Sequence, residues 1–445
     1  MSIHSEENEL TTEDNEILFI DSLSDDEKEE MYTTIIELAE DYLIQESIKM
    51  SSSTFFEDFY LDITHVLFQQ LMENGLCSEN DYDDLYDMVT EVLMTNIVDD
   101  FTPYVSKYSS TVLHPPSLEK IQALKSQLQP AQRTPEWYAF RQGVITASNI
   151  GKIFNSDAQL NNFIYEKCKN IDIPPSQGGY INTESSVHWG VKYEPLTSML
   201  YEHKNKTKIG EFGCIQHPKH AFLAASPDGI NVAPDSSLFG RMIEIKNIVN
   251  RDIDGIPSSM YWVQMQIQME CCDLEECDFV ETRFKEYATA EEFYMDNTHN
   301  IDSGEKGVIL MFISKLDGSP IYKYLPIGYI VPEHDDLIRW ADLIENYIPE
   351  NASMKTVIFW YLDEYSCVLV KRNKHWFECA FPKIQETWNI IQKEKIEGFE
   401  HRAPKKKVQK PLLPGLLIQL GEDGDSHVIQ NMPVTNTYSI IKTDL

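Results

Sequence analysis

The residues best suited to chemistry in this sequence are two acids and a lysine in two short motifs. Asp228 stands in Ser-Pro-Asp-Gly at 226–229, and Glu244 and Lys246 stand in Ile-Glu-Ile-Lys at 243–246. Residues two apart in a β-strand project from the same face, so Glu244 and Lys246 should meet one cleft. Two carboxylates and an ammonium group suit metal-dependent hydrolysis of a phosphodiester. The motifs therefore predict Asp228, Glu244 and Lys246 as catalytic residues of a metal-dependent nuclease.

The segment before Asp228 indicates how the acids meet. Residues 221–226 have the composition of a strand, and Ser-Pro-Asp-Gly is typical of a turn, which places Asp228 near Glu244 across a hairpin. Mg²⁺ prefers oxygen ligands and keeps several waters, so two carboxylates and the Ile245 carbonyl form a plausible incomplete shell. Each motif alone also fits a plain turn or a solvated strand face, whereas their ordered combination is less common.

The net charge of −35 is unevenly distributed along the 445 residues. Residues 1–110 hold 28 acidic residues and only Lys28, Lys49 and Lys107, a net −25 that leaves −10 for the rest. Charges are screened over about 8 Å at physiological salt, so a separate acidic lobe need not set the potential in a distant cleft. The acidic balance therefore argues only weakly against DNA binding.

The eight cysteines are irregularly spaced and no secretory signal precedes them, which favours reduced thiols and a soluble intracellular protein. Cys271, Cys272 and Cys277 are close enough in sequence to suggest a zinc or iron–sulfur site, but no further pair of ligands completes it. We therefore expect these three cysteines to be buried as small apolar side chains. His217 and His220 have ligand-like spacing without a third ligand and are expected in a loop. No apolar run is long enough to span a membrane, and we do not expect the protein to bind membranes.

The chain is expected to contain an acidic helical domain and a longer mixed domain. Residues 1–25 are polar and expected to be disordered, and 26–112 show helical periodicity. Partner docking, regulation, DNA mimicry and simple solubilisation all remain open for this domain. Residues 113–117 resemble a linker, and 401–445 form a tail whose lysines at 405–407 and 410 suit a solvated linker or a nuclear address.

Residues 113–400 alternate between helical and strand patterns, which predicts an α/β (α+β) core of a mixed sheet flanked by helices. Helices are predicted near 117–129, 135–142, 158–169, 185–203, 260–271 and 382–396. Strands are predicted near 212–217, 221–226, 229–233, 240–248, 277–284, 307–314, 320–325, 356–362 and 366–371.

Four motifs in this order resemble a known family. They are Arg133-Thr-Pro-Glu-Trp-Tyr-Ala-Phe-Arg-Gln-Gly-Val-Ile-Thr-Ala-Ser-Asn149, His188-Trp-Gly-Val-Lys-Tyr-Glu194, the Asp228–Lys246 pair of motifs, and Tyr261-Trp-Val-Gln264. The chain resembles the lambda-exonuclease or YqaJ-type viral recombinase branch of the PD-(D/E)xK nucleases over about 133–284, and again at 366–397. The resemblance implies a restriction-endonuclease-like core.

The resemblance also implies roles for individual residues. Asp228, Glu244 and the Ile245 carbonyl would bind catalytic Mg²⁺ or Mn²⁺, Glu194 would serve a second ion, and Lys246 would position or deprotonate the attacking water. The residues implied to hold the 5′-phosphate of a DNA end are Arg141, Ser148, Ser226 and Gln264. Such proteins are typically processive 5′-to-3′ exonucleases on double-stranded ends, often ring-shaped trimers, and leave single strands for recombination with an annealing or replication partner.

The chemistry of the residues agrees with these roles, although each residue also has a structural interpretation. Bound cations would favour neutral Lys246, and the planar fork of Arg141 suits a phosphate. Alternatively Ser148 caps a helix near Asn149, Arg141 pairs with Glu136, and Gln264 lies on a helix surface.

The helical domain and a long insertion at about 285–365 depart from the family, and leave ring assembly in question. The insertion could line a DNA channel, block the trimer interface or add edge strands. A structure-dependent or nonspecific endonuclease and a non-catalytic scaffold remain alternative functions.

Overall fold

The computed structural model describes residues 20, 23–98, 102–127, 130, 134–169, 182–183, 185–404, 419–420 and 426–427. Most of the segment predicted to be disordered, the start of the Arg133 motif, and the tail lysines at 405–407 and 410 lie outside these residues. The chain forms two compact units, residues 1–402 and 403–445. In the second unit, strand β11 (Gln419–Leu420) pairs antiparallel with β12 (Ser426–His427).

Three helices form the amino-terminal part of the first unit: α1 (Asp25–Gln45), α2 (Phe55–Glu73) and α3 (Tyr82–Asn96). A capping box between Ser24 and Glu27 begins α1. Their apolar faces bury residues such as Phe59 and Leu85, and this apolar cluster continues to Trp376 in the carboxy-terminal helix. The predicted helical character is present, and the helices share a core with the segment that follows. The domain boundary at residue 112 stays a prediction.

The central sheet has seven strands in the order β2-β5-β6-β7-β10-β8-β9. Only β6 and β7 are parallel among these neighbours; the other pairs are antiparallel. The strands are β2 (Ile209–Gly210), β5 (Gly229–Asn231), β6 (Met242–Asn247), β7 (Glu276–Glu286), β8 (Lys306–Ser314), β9 (Pro320–Tyr324) and β10 (Ala352–Lys371).

A second, small sheet brings an earlier part of the chain beside the central one. Strand β4 (Leu223–Ala225) lies between β1 (Ile145–Thr146), to which it is parallel, and β3 (Ile215–Gln216). Thr146 is paired with Ala224, two residues before Ser226. The pairing therefore places the start of the next helix beside the Ser-Pro-Asp-Gly turn.

Helices flank both sheets. They are α4 (Leu118–Ser126), α5 (Pro135–Gln142), α6 (Ala147–Phe154), α7 (Asp157–Cys168), α8 (Ser186–Asn205), α9 (Ser259–Cys272), α10 (Ala290–Met295), α11 (Leu337–Tyr347) and α12 (Lys374–Glu397). Helix α9 crosses between β6 and β7, as parallel neighbours require. This mixed α/β core with additional amino-terminal helices confirms the predicted fold class. No helix in the described ranges is long and apolar enough to cross a membrane.

The insertion at 285–365 extends the central sheet. Strands β8 and β9 add two strands beyond β10, and Tyr324 of β9 donates a hydrogen bond to the Lys192 carbonyl of α8 over 2.6 Å. A second contact joins Tyr322 and His188, whose oxygen and Nε2 are 2.7 Å apart. Of the proposed roles for the insertion, the addition of edge strands is present. Its hydroxyls also support the helix that carries Glu194.

Two predicted boundaries were wrong. The strands predicted at 356–362 and 366–371 are one strand, because the acids between them occupy a bulge and form ion pairs. Glu364 pairs with Arg283 at 2.5 Å, and Asp363 with Lys285 at 2.9 Å. The last helix begins eight residues before the predicted start, because Asn373 caps it and Pro382 lies inside it.

Candidate active site

The two acidic motifs meet where β5 and β6 begin to separate. Gly229 pairs with Ile243, and the Asp228 carboxylate just before β5 accepts a hydrogen bond from the Ile245 amide over 2.7 Å. In a strand, the N–H and C=O of one residue point toward the same edge. The Ile245 carbonyl therefore faces the same side as Asp228, and both residues line one pocket.

Glu244 and Lys246 share a face of β6, as their spacing predicts. The Lys246 ammonium group donates to Glu244 Oε1. Ile243 and Ile245 pack on the opposite face in a cluster with Tyr201. Strand alternation alone thus separates the polar pair from the apolar pair.

Two glutamines from α9 complete the surroundings of Glu244, which is 0% exposed. Gln264 donates to Oε1 and Gln268 donates to Oε2, each over 2.7 Å. Gln264 therefore contacts the acid and is not a simple surface residue. Gln268 was missed by the sequence analysis, although its position four residues after Gln264 places it on the same helix face.

The close approach of these charged groups shifts the pKa values of Asp228 and Lys246. Burial and the neighbouring Glu244 raise the pKa of Asp228 well above its ordinary value. Burial opposes the charge of Lys246, but attraction by Glu244 and Asp228 prevails and raises the pKa of the ammonium group. Two carboxylates thus crowd one ammonium group, and Glu194 adds further negative potential at Asp228. An oxygen-rich site with excess negative charge fits a hard divalent cation.

Glu194 lies on α8, one residue before Pro195, and lines the same pocket. In the parts of the chain that the structure describes, no three His, Cys, Asp or Glu side chains form a ready metal-binding group. The candidate shell therefore consists of Asp228, Glu244 and the Ile245 carbonyl, with Glu194 at its edge.

Arg141, in the last turn of α5, lines the same pocket. Its Nη2 is 3.3 Å from the Ser148 hydroxyl and 3.5 Å from that of Thr146, and the guanidinium carbon is 4.6 Å from the Trp137 ring centroid. Within the described ranges, no carboxylate, including Glu136, forms an ion pair with Arg141. The fork is therefore held by hydroxyls and an aromatic ring, and no acid of the described residues neutralises it.

All nine residues proposed from the sequence line one cavity of about 260 Å³. Thr146, Ala147 and Gln268 complete its lining. Ser226 contributes its carbonyl to Gln268 at 3.3 Å as well as lining the cavity. A larger groove of about 800 Å³ shares Glu194, Ser226 and Asp228 with it, so the cavity opens on that side. The structure therefore brings the proposed acids, lysine and phosphate-binding residues together.

The alternative metal motifs have structural explanations. Cys271, Cys272 and Cys277 are buried free thiols. His217 Nδ1 accepts hydrogen bonds from the Lys219 and His220 amides at 3.1 and 3.2 Å, which stabilises the loop between β3 and β4. Both outcomes agree with the expectations from the sequence.

Asp228 thus lies beside Glu-x-Lys on the next strand of a mixed sheet, which is the arrangement that the resemblance to the PD-(D/E)xK nucleases implied. Comparison with known proteins adds that residues 136–275 match the YqaJ-like viral recombinase domain. This match confirms, for residues 136–275, the resemblance seen in the motifs.

A relative and two solved structures show the extent of the similarity. An uncharacterized protein of Acanthamoeba polyphaga mimivirus is 31% identical over 308 residues, covering 61% of this chain and 54% of that protein. The chain thus spans about half the length of this curated relative. An alkaline exonuclease from Laribacter hongkongensis is 19% identical, with 60% of this chain and 97% of that chain covered and a TM-score of 0.35. A phage-related exonuclease from Haemophilus somnus is 14% identical, with 58% and 96% covered and a TM-score of 0.30.

Proposed function

We propose that this protein is a Mg²⁺-dependent DNA exonuclease that hydrolyses double-stranded ends from 5′ to 3′ during recombination, repair or replication. The observation that carries the proposal is that Asp228, Glu244, Lys246 and Arg141 all line one cavity. The two acids and the lysine suit the phosphate to be cleaved, and the arginine fork suits the phosphate that marks the end of the strand. The match of residues 136–275 to the YqaJ-like viral recombinase domain supports nucleic acid as the substrate.

Asp228, Glu244 and the Ile245 carbonyl would hold Mg²⁺ or Mn²⁺, and Glu194 would reach a second ion. Bound divalent ions supply stabilisation for the attacking and leaving oxygens of an in-line displacement. Gln264 and Gln268 keep the Glu244 carboxylate in one orientation by occupying one oxygen each. Oε2 keeps a second lone pair for a cation, whereas Oε1 also accepts from Lys246, whose ammonium group would have to move for a cation to bind Oε1.

Lys246 would position the attacking water and stabilise negative charge that develops on the phosphate. Its ammonium group lies at Glu244 and 4.6 Å from the centroid of the Tyr261 ring. Because the nearby acids raise the pKa of this lysine, the charged form is favoured in the ion-free site. A charged lysine can orient the attacking water by donating a hydrogen bond to it. Lysine could remove a proton from that water only in its neutral form.

Arg141 would select the end of the strand. A terminal phosphate monoester carries more negative charge than an internal diester and presents more oxygens to a planar fork. Ser148 and Ser226 would add neutral donors to this phosphate. Gln264, which donates to Glu244, lines the same cavity and would contact the phosphate from there.

The test compares end-labelled linear duplexes carrying a 5′-phosphate or a 5′-hydroxyl with a covalently closed circle, each with Mg²⁺ and with EDTA. We expect Mg²⁺-dependent release of nucleotides from linear DNA, fastest from the 5′-phosphorylated end, and no cleavage of circles. Equal cleavage of circles would establish an endonuclease. A protein that cleaves none of these substrates and binds no Mg²⁺ would be a scaffold, contrary to the proposal.

A further inference from the structure

Lys167 is a buried lysine whose partners lie next to the proposed phosphate-binding fork. It stands in the last turn of α7, is 6% exposed, and is not part of the pocket lining. Its ammonium group donates to the Arg141 carbonyl over 2.7 Å and to the Val144 carbonyl over 2.6 Å. The last carbonyls of a helix have no partner within it, so Lys167 satisfies the Arg141 carbonyl at the end of α5 and the Val144 carbonyl just after it.

Gln142 makes the reciprocal contact from α5 to α7. Its side-chain nitrogen lies 2.8 Å from the Glu166 carbonyl and 2.9 Å from the carbonyls of Lys167 and Lys169. Each helix therefore caps the other's carboxy-terminal end with one side chain. We call this pair of residues, Lys167 and Gln142, the helix-end lock.

The helix-end lock contains a buried amine, Lys167, whose charged form is costly to bury. Burial lowers the pKa of Lys167 to about 8, and the positive charge of Arg141 contributes in the same direction. A buried ammonium group is unfavourable unless its donors are satisfied. Here both carbonyls come from the segment that turns from Arg141 into β1. A neutral amine retains two N–H groups, so both contacts can be made in either protonation state.

We propose that Lys167 is a positioning residue that sets the selectivity of this site for 5′-phosphorylated ends. It holds the Arg141 carbonyl on one side of Gly143 and the Val144 carbonyl on the other, just before Thr146 and Ser148. The Arg141 guanidinium group and the hydroxyls of Thr146 and Ser148 are thereby held in positions where they can contact the same phosphate. This inference rests on the proposed function, because it assigns Arg141 to the terminal phosphate.

The test compares Lys167→Met with the matched control Lys152→Met. Lys152 also contacts α7, through Glu166 at 3.2 Å, but makes no hydrogen bond to the Arg141 segment. The measurement is the ratio of kcat/KM for 5′-phosphorylated and 5′-hydroxyl duplexes. A misplacement of about 1 Å can reduce a rate up to about 100-fold, so we expect a roughly tenfold smaller ratio in Lys167→Met. Turnover of the 5′-hydroxyl substrate should change little, and Lys152→Met should retain the wild-type ratio.

Binding measured in EDTA separates this inference from the proposed activity. Anisotropy with short labelled duplexes should show that Lys167→Met loses the preference for a 5′-phosphate. Gln142→Leu, which removes the other half of the lock, should reduce the preference as well and provides the test if Lys167→Met does not fold. Wild-type preference in folded Lys167→Met, or equal losses on both ends, would overturn the inference. No cleavage by wild type would refute the proposed exonuclease instead, and the binding comparison would still decide the role of Lys167.

Discussion

Gln268 donates a hydrogen bond to Glu244 Oε2 over 2.7 Å, and this contact links helix α9 to the proposed metal ligand on β6. Both side chains are 0% exposed. Because water cannot replace a lost donor in such a place, the geometry of Glu244 depends on Gln268 and Gln264 together. The orientation of the proposed metal ligand Glu244 thus depends on α9, a helix that contributes no acid to the cavity.

Removal of Gln268 should weaken metal binding more than catalysis at saturating metal. Loss of a residue that orients a metal ligand typically costs 10–100-fold in affinity. In Gln268→Met we expect the Mg²⁺ concentration for half-maximal cleavage to rise about tenfold, with the maximal rate largely recovered. Gln216→Met, which changes an exposed glutamine, is the control. Activity that high Mg²⁺ cannot restore would indicate a direct catalytic role.

Replacement of Asp228 by Asn should stabilise the ion-free protein and abolish its response to Mg²⁺. The pKa of Asp228 is raised, so its charged form is disfavoured by the fold at neutral pH, whereas Asn can still accept from the Ile245 amide. Asp228→Asn should therefore unfold at a higher temperature than wild type in EDTA. Mg²⁺ at about 100 times its Kd should stabilise wild type by about 2.7 kcal/mol, and not the variant.

The matched control is Asp235→Asn, an exposed acid in the loop between β5 and β6. It should unfold like wild type with and without Mg²⁺. Differential scanning fluorimetry measures all three proteins. An unchanged Mg²⁺ response in Asp228→Asn would count against the metal assignment, and the same variant should lose cleavage.

Asp278 should make the stability of the fold depend on pH. Burial raises the pKa of this acid to about 6, although Arg241 and Tyr201 oppose the shift. The native state then binds a proton more readily than the unfolded state, so stability falls as pH rises from about 4 to about 6. Relative to Asp278→Asn, wild type should lose about 1–3 kcal/mol over this window.

Chemical denaturation of both proteins at several pH values checks this sign. The other acids are common to both chains, so the difference in unfolding free energy isolates residue 278. A difference that stays constant between pH 4 and 6, or moves in favour of wild type, would show that Arg241 compensates burial fully.

The hydroxyl of Tyr324 should stabilise the contact between the insertion and α8. Tyr324→Phe removes its hydrogen bond to the Lys192 carbonyl, and a loss of about 0.5–1.5 kcal/mol in unfolding free energy is expected. Urea denaturation provides the measurement. Tyr329→Phe, in the same insertion, should cost less because no hydrogen bond of its hydroxyl is seen among the described residues. Equal effects would assign the stability to general packing of the insertion.

Much of the fold was predictable because the relevant signals are local. Apolar alternation located β6 to within two residues at its start, and the helix at 135–142 was predicted with its observed bounds. Errors arose where distant partners decide the structure. In the sequence, Asp363 and Glu364 indicate the end of a strand. In the structure, the strand continues through them because Lys285 and Arg283 neutralise their charges. Helix α12 continues through Pro382, and its start depends on the Asn373 cap.

The sequence by itself determined which groups can do chemistry, because strand alternation puts Glu244 and Lys246 on one face and the turn puts Asp228 beside them. The tertiary structure alone decided what surrounds them. Gln268 reaches Glu244 from a helix, and Lys167 reaches the Arg141 carbonyl from a position 26 residues away. Such contacts depend on how elements pack, and neither periodicity nor local spacing contains that information.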